Sequence, residues 1–158
     1  MQYNPAYKIY KPNTKDHTKG CASSWEWNNK TCNFFLTVAK QEGQKDGDGN
    51  NRFSWKEGSE TVKLDIEEIA EIGCVLSGKK SCLGQSDESG KGKGFFHQNK
   101  SGNVIMKMYK LDDGFAFEVS SKKGEERFWA GHRLTHAEAY VLESLCKTII
   151  ANMFIGCN

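Results

Sequence analysis

The sequence predicts an α+β domain made of two successive units, each several strands followed by one helix, and three observations predict it. Capping boxes at Asp65/Glu68 and Thr135/Glu138 each open an apolar run of helical period. Aromatic-rich segments with strand-like alternation precede both runs. The chain is 158 residues long, 27% charged and 37% hydrophobic, enough to bury about 68–70% of its unfolded surface around one core. That balance argues against a disordered or fibrous chain.

In chain order, residues 7–11, 22–27, 33–40 and 52–64 read as strands, the last broken at Glu57-Gly58. Asp65 then caps a helix whose Ile66, Ile69, Ile72, Val75 and Leu76 share a face until Gly78 stops it. Residues 95–98, 104–111, 115–121 and 127–133 read as a second set of strands, with a hairpin turn at Asp113-Gly114. Thr135 caps a second helix lined by Ala139, Leu142, Leu145, Cys146, Ile149, Ile150 and Met153, ending before Gly156. Each unit repeats one junction: Phe53 and Trp55 before Leu64-Asp65, and Phe128 and Trp129 before Leu134-Thr135. The expected arrangement is therefore a single domain over 1–158, internally duplicated in halves at about 7–83 and 91–156. The glycine-rich stretches 42–51 and 84–94 read as loops of that domain, because the apolar helices need the sheets to pack on.

No apolar run is long enough to cross a bilayer, and residues 1–10 are too polar for a signal-peptide core. A soluble intracellular protein is expected, in the cytoplasm, nucleoid or an organelle matrix. The six cysteines (Cys21, Cys32, Cys74, Cys82, Cys146, Cys157) are scattered through a chain that can fold without staples, so reduced thiols are expected.

The net charge of +2 hides a division. The strand segments 1–63 and 91–133 together carry +7, and the helical segments 64–90 and 134–158 carry −5. Sheets with helices packed behind them would then present one basic and one acidic surface. The basic strands also hold the aromatics, and lysines beside exposed rings suit a single-stranded nucleic acid, whose phosphates need neutralising and whose bases stack. Alternation in residues 104–111 puts Val104, Met106 and Met108 on one side and Ile105, Lys107 and Tyr109 on the other, the latter facing solvent or ligand. Phe34, Phe35, Phe115 and Phe117 read as core, whereas Trp25, Trp27 and Trp55 fit either a core or a stacking platform.

The stretch Phe53-Ser54-Trp55-Lys56 through Leu64-Asp65-Ile66-Glu67-Glu68-Ile69 to Leu76-Ser77-Gly78-Lys79 resembles the strand, cap and first helix of the whirly family of single-stranded DNA-binding proteins. Phe95-Phe96-His97 is similar to that family's Phe-Phe-His segment, and residues 134–142 with Met153-Phe154-Ile155-Gly156 to its second helix and closing glycine. Its Lys-Gly-Lys-Ala-Ala-Leu motif falls on Lys19-Gly20-Cys21-Ala22-Ser23-Ser24, with Cys21 at the second lysine and Ser23-Ser24 at the last two positions. The resemblance implies two antiparallel four-stranded sheets backed by helices, a homotetramer assembled through those helices, and DNA lying across sheet edges.

Other chemistries fit less well. Asp46, Asp48, Asn50 and Glu57 have EF-hand spacing, but their flanks read as strands and Asn51 stands where glycine belongs. The loop 84–94 lacks the spacing and the serine or threonine of a P-loop, although Lys91 and Lys93 can reach phosphates from it. Zinc has no Cys-x-x-Cys pair to hold it, and His97, His132 and His136 have no nucleophile elbow beside them. The expectation is a non-enzymatic protein without catalytic residues, metal or cofactor, which binds single-stranded DNA with little sequence preference in replication, recombination or repair. RNA binding by the same fold, or a transcription-cofactor and protein-interaction module, are the alternatives. The candidate contacts are Lys8, Tyr10, Lys19, Gly20, Trp25, Trp27, Trp55, Lys56, Lys107, Tyr109 and Lys110.

Overall fold

Strand β1 (Ala6–Lys11) opens a computed structural model that describes residues 4–99 and 102–156. It is followed by a single 3-10 turn (His17–Lys19), β2 (Cys21–Asn28), β3 (Asn33–Lys40), β4 (Ser59–Leu64) and α1 (Ile66–Leu76). The second half repeats the order with β5 (Phe95–Asn99), β6 (Gly102–Lys110), β7 (Phe115–Lys123), β8 (Glu126–Leu134) and α2 (His136–Ile155). Each set of four strands is an antiparallel sheet in sequence order, β1-β2-β3-β4 and β5-β6-β7-β8.

Both helices start where their sequence signals stand. The Asp65 carboxylate accepts from the Glu68 amide at 2.8 Å and Glu68 accepts from the Asp65 amide at 3.0 Å. Thr135 and Glu138 close the same box before α2, at 3.1 and 2.9 Å. Each cap satisfies two backbone donors that the first helical turn leaves open. α1 and α2 pack on each other, and one continuous core joins them to the inner faces of both sheets. Val104, Met106 and Met108 enter that core, as the alternation of β6 requires, and Phe34, Phe115 and Phe117 lie in it with them. Phe35 points the other way along β3 and is half-buried.

Trp25 joins the two sheets. Its ring meets Phe117 edge-on at 5.4 Å, and its indole N–H donates to Ser23 Oγ at 3.3 Å. Polar ties surround that apolar contact: Lys11 of β1 reaches Glu138 of α2 at 2.7 Å, His97 of β5 reaches Glu68 of α1 at 2.6 Å, and buried Glu60 of β4 accepts from Ser121 and Lys123 of β7.

Two expectations are corrected. Residues 52–58 are not strand: Phe53 makes only an isolated bridge to Gln41, and the chain then turns, with the Trp55 amide donating to the Phe53 carbonyl and the Gly58 amide to Ser54 Oγ. Side-chain hydroxyls that capture backbone donors in this way compete with a sheet ladder. The cysteines are not all reduced either, because Cys32 is disulfide-bonded; Cys21, Cys74, Cys82 and Cys146 are free thiols, and Cys157 lies outside the described residues. No helix among the described residues is long and apolar enough to cross a membrane.

Candidate nucleic-acid interface

The expected contacts separate into three groups. Lys8, Tyr10 and Trp55 come together on the outer face of the first sheet. The Lys8 ammonium lies 5.5 Å from the centre of the Trp55 ring, and Tyr10 meets Trp55 edge-on at 6.4 Å and Phe53 at 5.5 Å. The register explains the perch: Tyr10 stands in the row Tyr10, Ala22, Ala39, Ser59, whose two alanines leave the face low, and Ser59 Oγ holds the Trp55 carbonyl at 2.6 Å. Lys56 is exposed next to this cluster. Lys107 and Tyr109 share the outer face of the second sheet, with Lys91 5.6 Å from the centre of the Tyr109 ring.

A second group is structural. Trp25 and Trp27, expected to stack on bases, are 0% and 4% exposed and belong to the core. β2 is a central strand, and its register sets Trp25 between Tyr7 and Leu36, and Trp27 beside Phe34, on the side that faces the second sheet. Gly20 is buried because the chain passes close to Gln41; a Cβ there would lie 1.7 Å from Gln41 Oε1, which already accepts from the Asn13 amide. The third group stands apart from the outer faces. Lys19 pairs with Asp16 at 3.7 Å in the turn before β2. Lys110 lies in the row Lys110, Phe115, Leu134 on the helix side of the second sheet, beside Tyr140 of α2.

Sequence reasoning missed the most exposed rings on the outer faces of the sheets. Phe96 and Trp129 are 62% and 54% exposed and end the row Phe96, Ile105, Ser120, Trp129 across the outer face of the second sheet. The signal was present in β8, where Arg127, Trp129, Gly131 and Arg133 alternate with Phe128, Ala130, His132 and Leu134: a ring between two arginines at strand period. A cavity of about 420 Å³ lies beside this row, lined by Phe96, Ile105, Lys122, Arg127, Phe128 and Trp129. It shares Arg127 and Phe128 with a cleft of about 420 Å³ toward Lys40, Ser59 and Lys123, where Lys40 sits 5.0 Å from the centre of the Phe128 ring. On the other side it shares Trp129 with a slot of about 230 Å³ that contains Tyr109 and Arg133. Rings and cations therefore recur along a track from the Trp55 cluster, past the meeting of the sheets, to Tyr109, interrupted by Glu57, Glu60 and Glu126 in the cleft and by Glu118 in the slot.

Burial pushes the thiols of Cys21 and Cys146 up to about 12, the latter helped by Glu143. Burial also lowers His132 to about 4; its Nδ1–H donates to the Arg133 carbonyl at 2.8 Å, so Nε2 is left to accept from Ser23 Oγ at 2.9 Å. The Asp46 carboxylate accepts from the amides of Asp48 and Asn50 and closes its own turn.

No family model matches the chain, and no curated protein matches it in sequence. Solved structures do. The chain is similar to WHY1 from Arabidopsis thaliana, at 15% identity over 95% of this chain and 85% of that one, with a TM-score of 0.68. It is similar to the Trypanosoma brucei MRP1/MRP2 structures at 15% identity over 98% and 88%, TM-score 0.68. It is also similar to a guide-RNA-binding protein complex bound to a gRNA, at 14% identity over 97% and 94%, TM-score 0.69. Two antiparallel four-stranded sheets, two capped helices and these neighbours together establish that the chain has a whirly-like fold.

Proposed function

We propose that the protein binds single-stranded nucleic acid along the outer-face track, with single-stranded DNA as its substrate and protection of that DNA in replication, recombination or repair as its role. The observation that carries the reading is the exposed row from Phe96 to Trp129, flanked by Lys122, Arg127 and Arg133. Stacking on such rings contributes about 1–3 kcal/mol per base and tolerates any sequence, and the cations neutralise phosphates. Lys8, Tyr10 and Trp55 extend the same chemistry onto the first sheet, and Lys107 with Tyr109 onto the end of the second. The reading involves no catalytic step, metal or cofactor.

RNA is the second reading, favoured by the similarity to a complex bound to a gRNA. Titration with oligo-dT and matched oligo-U at several salt concentrations, followed by tryptophan fluorescence, tests both. Binding whose log-log salt slope is about −0.7 per neutralised phosphate supports nucleic-acid binding, and preference for oligo-U transfers the role to RNA. Binding that is absent or indifferent to salt refutes both and favours a protein-interaction module.

We also read the protein as a homotetramer assembled through its helices. On α2, Val141, Ser144, Thr148, Ala151 and Ile155 form an exposed stripe without charge. The hydroxyls of Ser144 and Thr148 donate back to the Tyr140 and Ser144 carbonyls, which leaves the stripe apolar in effect. Tyr140 and Phe154 are also exposed beside it, with Lys147 between them paired to Glu143 at 3.1 Å, and this face suits a second copy of the same helix.

A further inference from the structure

We infer that the slot of about 230 Å³ at the end of the track takes a single base of the bound strand, reads its Watson–Crick edge, and prefers guanine to thymine or uracil. This rests on the nucleic-acid reading above and adds to it one position at which the strand is read as well as stacked.

The slot exists because of a glycine. Trp129, Gly131 and Arg133 are successive outward positions of β8, and a Cβ at Gly131 would lie 2.4 Å from the Phe117 carbonyl and 2.9 Å from Glu118 Cα. The close approach of β7 excludes a side chain there, so a gap opens between the indole of Trp129 and the guanidinium of Arg133. The register completes it: Glu118 pairs with Gly131, and Ala116 pairs with Arg133 on one side and Tyr109 on the other. The resulting space has two aromatic walls, Trp129 and Tyr109, a low floor at Ala116 and Gly131, a carboxylate and a guanidinium. It lies below the ~300 Å³ at which sites for drug-sized ligands begin, the right scale for one planar base.

The carboxylate sets the preference. An ionised carboxylate only accepts hydrogen bonds. Guanine is the one base with two adjacent donors on its Watson–Crick edge, N1–H and the N2 amine, which a carboxylate can take together. Its O6 and N7 acceptors suit the arginine fork. Adenine and cytosine each offer one amine beside an acceptor. Thymine and uracil offer one N–H flanked by two carbonyls that a carboxylate repels.

An acid in a phosphate-binding track would otherwise weaken binding, and here its charge is offset. Lys91 Nζ lies 3.7 Å from Glu118. The loop that carries Lys91 is pinned by the Gly94 amide on the Leu83 carbonyl at 3.1 Å and by the Asp87 carboxylate, which accepts from the Ser89 and Gly92 amides. The Glu118 side chain is only 14% exposed against 48% for Lys91, so the pair is half-buried, and the melting temperature of Glu118→Gln reads whatever part it has in the fold.

The test is fluorescence anisotropy of the full chain with a labelled oligo-dT and with the same strand carrying one central dG, dI or dC. The dG strand should bind about tenfold tighter than oligo-dT or better, with dI weaker than dG because it lacks the N2 amine. Glu118→Gln should abolish the dG advantage while leaving oligo-dT affinity within about twofold, the loss being confined to one base contact. Lys91→Ala should weaken oligo-dT binding and keep the dG advantage. Equal affinity for the dG and oligo-dT strands in the wild-type protein, or a dG advantage that survives Glu118→Gln with an unchanged melting temperature, would overturn the inference and leave strand binding intact. Failure of every strand to bind would overturn both.

Discussion

At the scale of single residues, burial divides side chains of the same type into different tasks. Trp25→Ala removes a ring from between two sheets and should cost about 3–5 kcal/mol, read from a denaturation midpoint. Trp129→Ala removes an exposed ring and should leave that midpoint almost unchanged while weakening oligonucleotide binding by about 1–3 kcal/mol. The reverse pattern would mean that the binding face has been misassigned. His132 makes stability depend on pH. Its ring is packed edge-on against Phe117 at 4.5 Å, faces Lys11 and Glu138, and is held neutral mainly by burial, with a folded value of about 4 against 6.5 for a free histidine. As pH falls below about 6.5 the unfolded chain takes up this proton and the folded chain does not. The stability present above that pH is therefore lost progressively down to about pH 4, by on the order of 3 kcal/mol in all. Chemical denaturation across that range should show the loss, and His132→Gln should flatten it.

At the scale of elements, local signals were legible and tertiary ones were not. The helix starts could be read because a capping box is complete within four residues, and the inward side of β6 because period two needs no knowledge of the partner. The faces of Trp25 and Trp27 could not, since β2 alternates equally well whichever side meets the second sheet. The strand pattern around Trp55 hides a backbone turn that depends on Ser54 and Gly58, and the exposure of Trp129 depends on a row that extends to Phe96 on β5. The joint between the halves carries its own prediction. Glu138 closes the α2 cap and also accepts from Lys11 of β1; burial raises its carboxyl, but the Lys11 hydrogen bond and charge and the Thr135 amide outweigh that and lower it. Glu138→Ala should cost about 1–2 kcal/mol of stability by removing both contacts, whereas Asp65→Ala, which removes a cap alone, should cost about 1 kcal/mol. Equal losses in thermal melts would show that the Lys11 contact contributes nothing.

At the scale of the whole molecule, the charge division and the apolar stripe of α2 bear on the same assembly. The helical segments are acidic in sum, yet the exposed stripe from Val141 to Ile155 is uncharged, so copies can meet along it without opposing like charges. Meeting there would turn the basic outer faces of the sheets outward, each with its own row from Phe96 to Trp129. A strand long enough to touch two protomers would then bind the second at a high effective concentration, and its affinity would exceed that of a strand confined to one. Val141→Arg combined with Ala151→Arg places charge in the middle of the stripe without touching the track. Light scattering should report a tetramer for the parent protein and a smaller species for the variant. The variant should hold a short oligonucleotide as tightly as the parent and lose about tenfold or more on a long one, within the range that multivalency supplies. A parent protein that is monomeric, or a variant that keeps its full affinity for long strands, would place the strand on single protomers and leave the α2 stripe without this role.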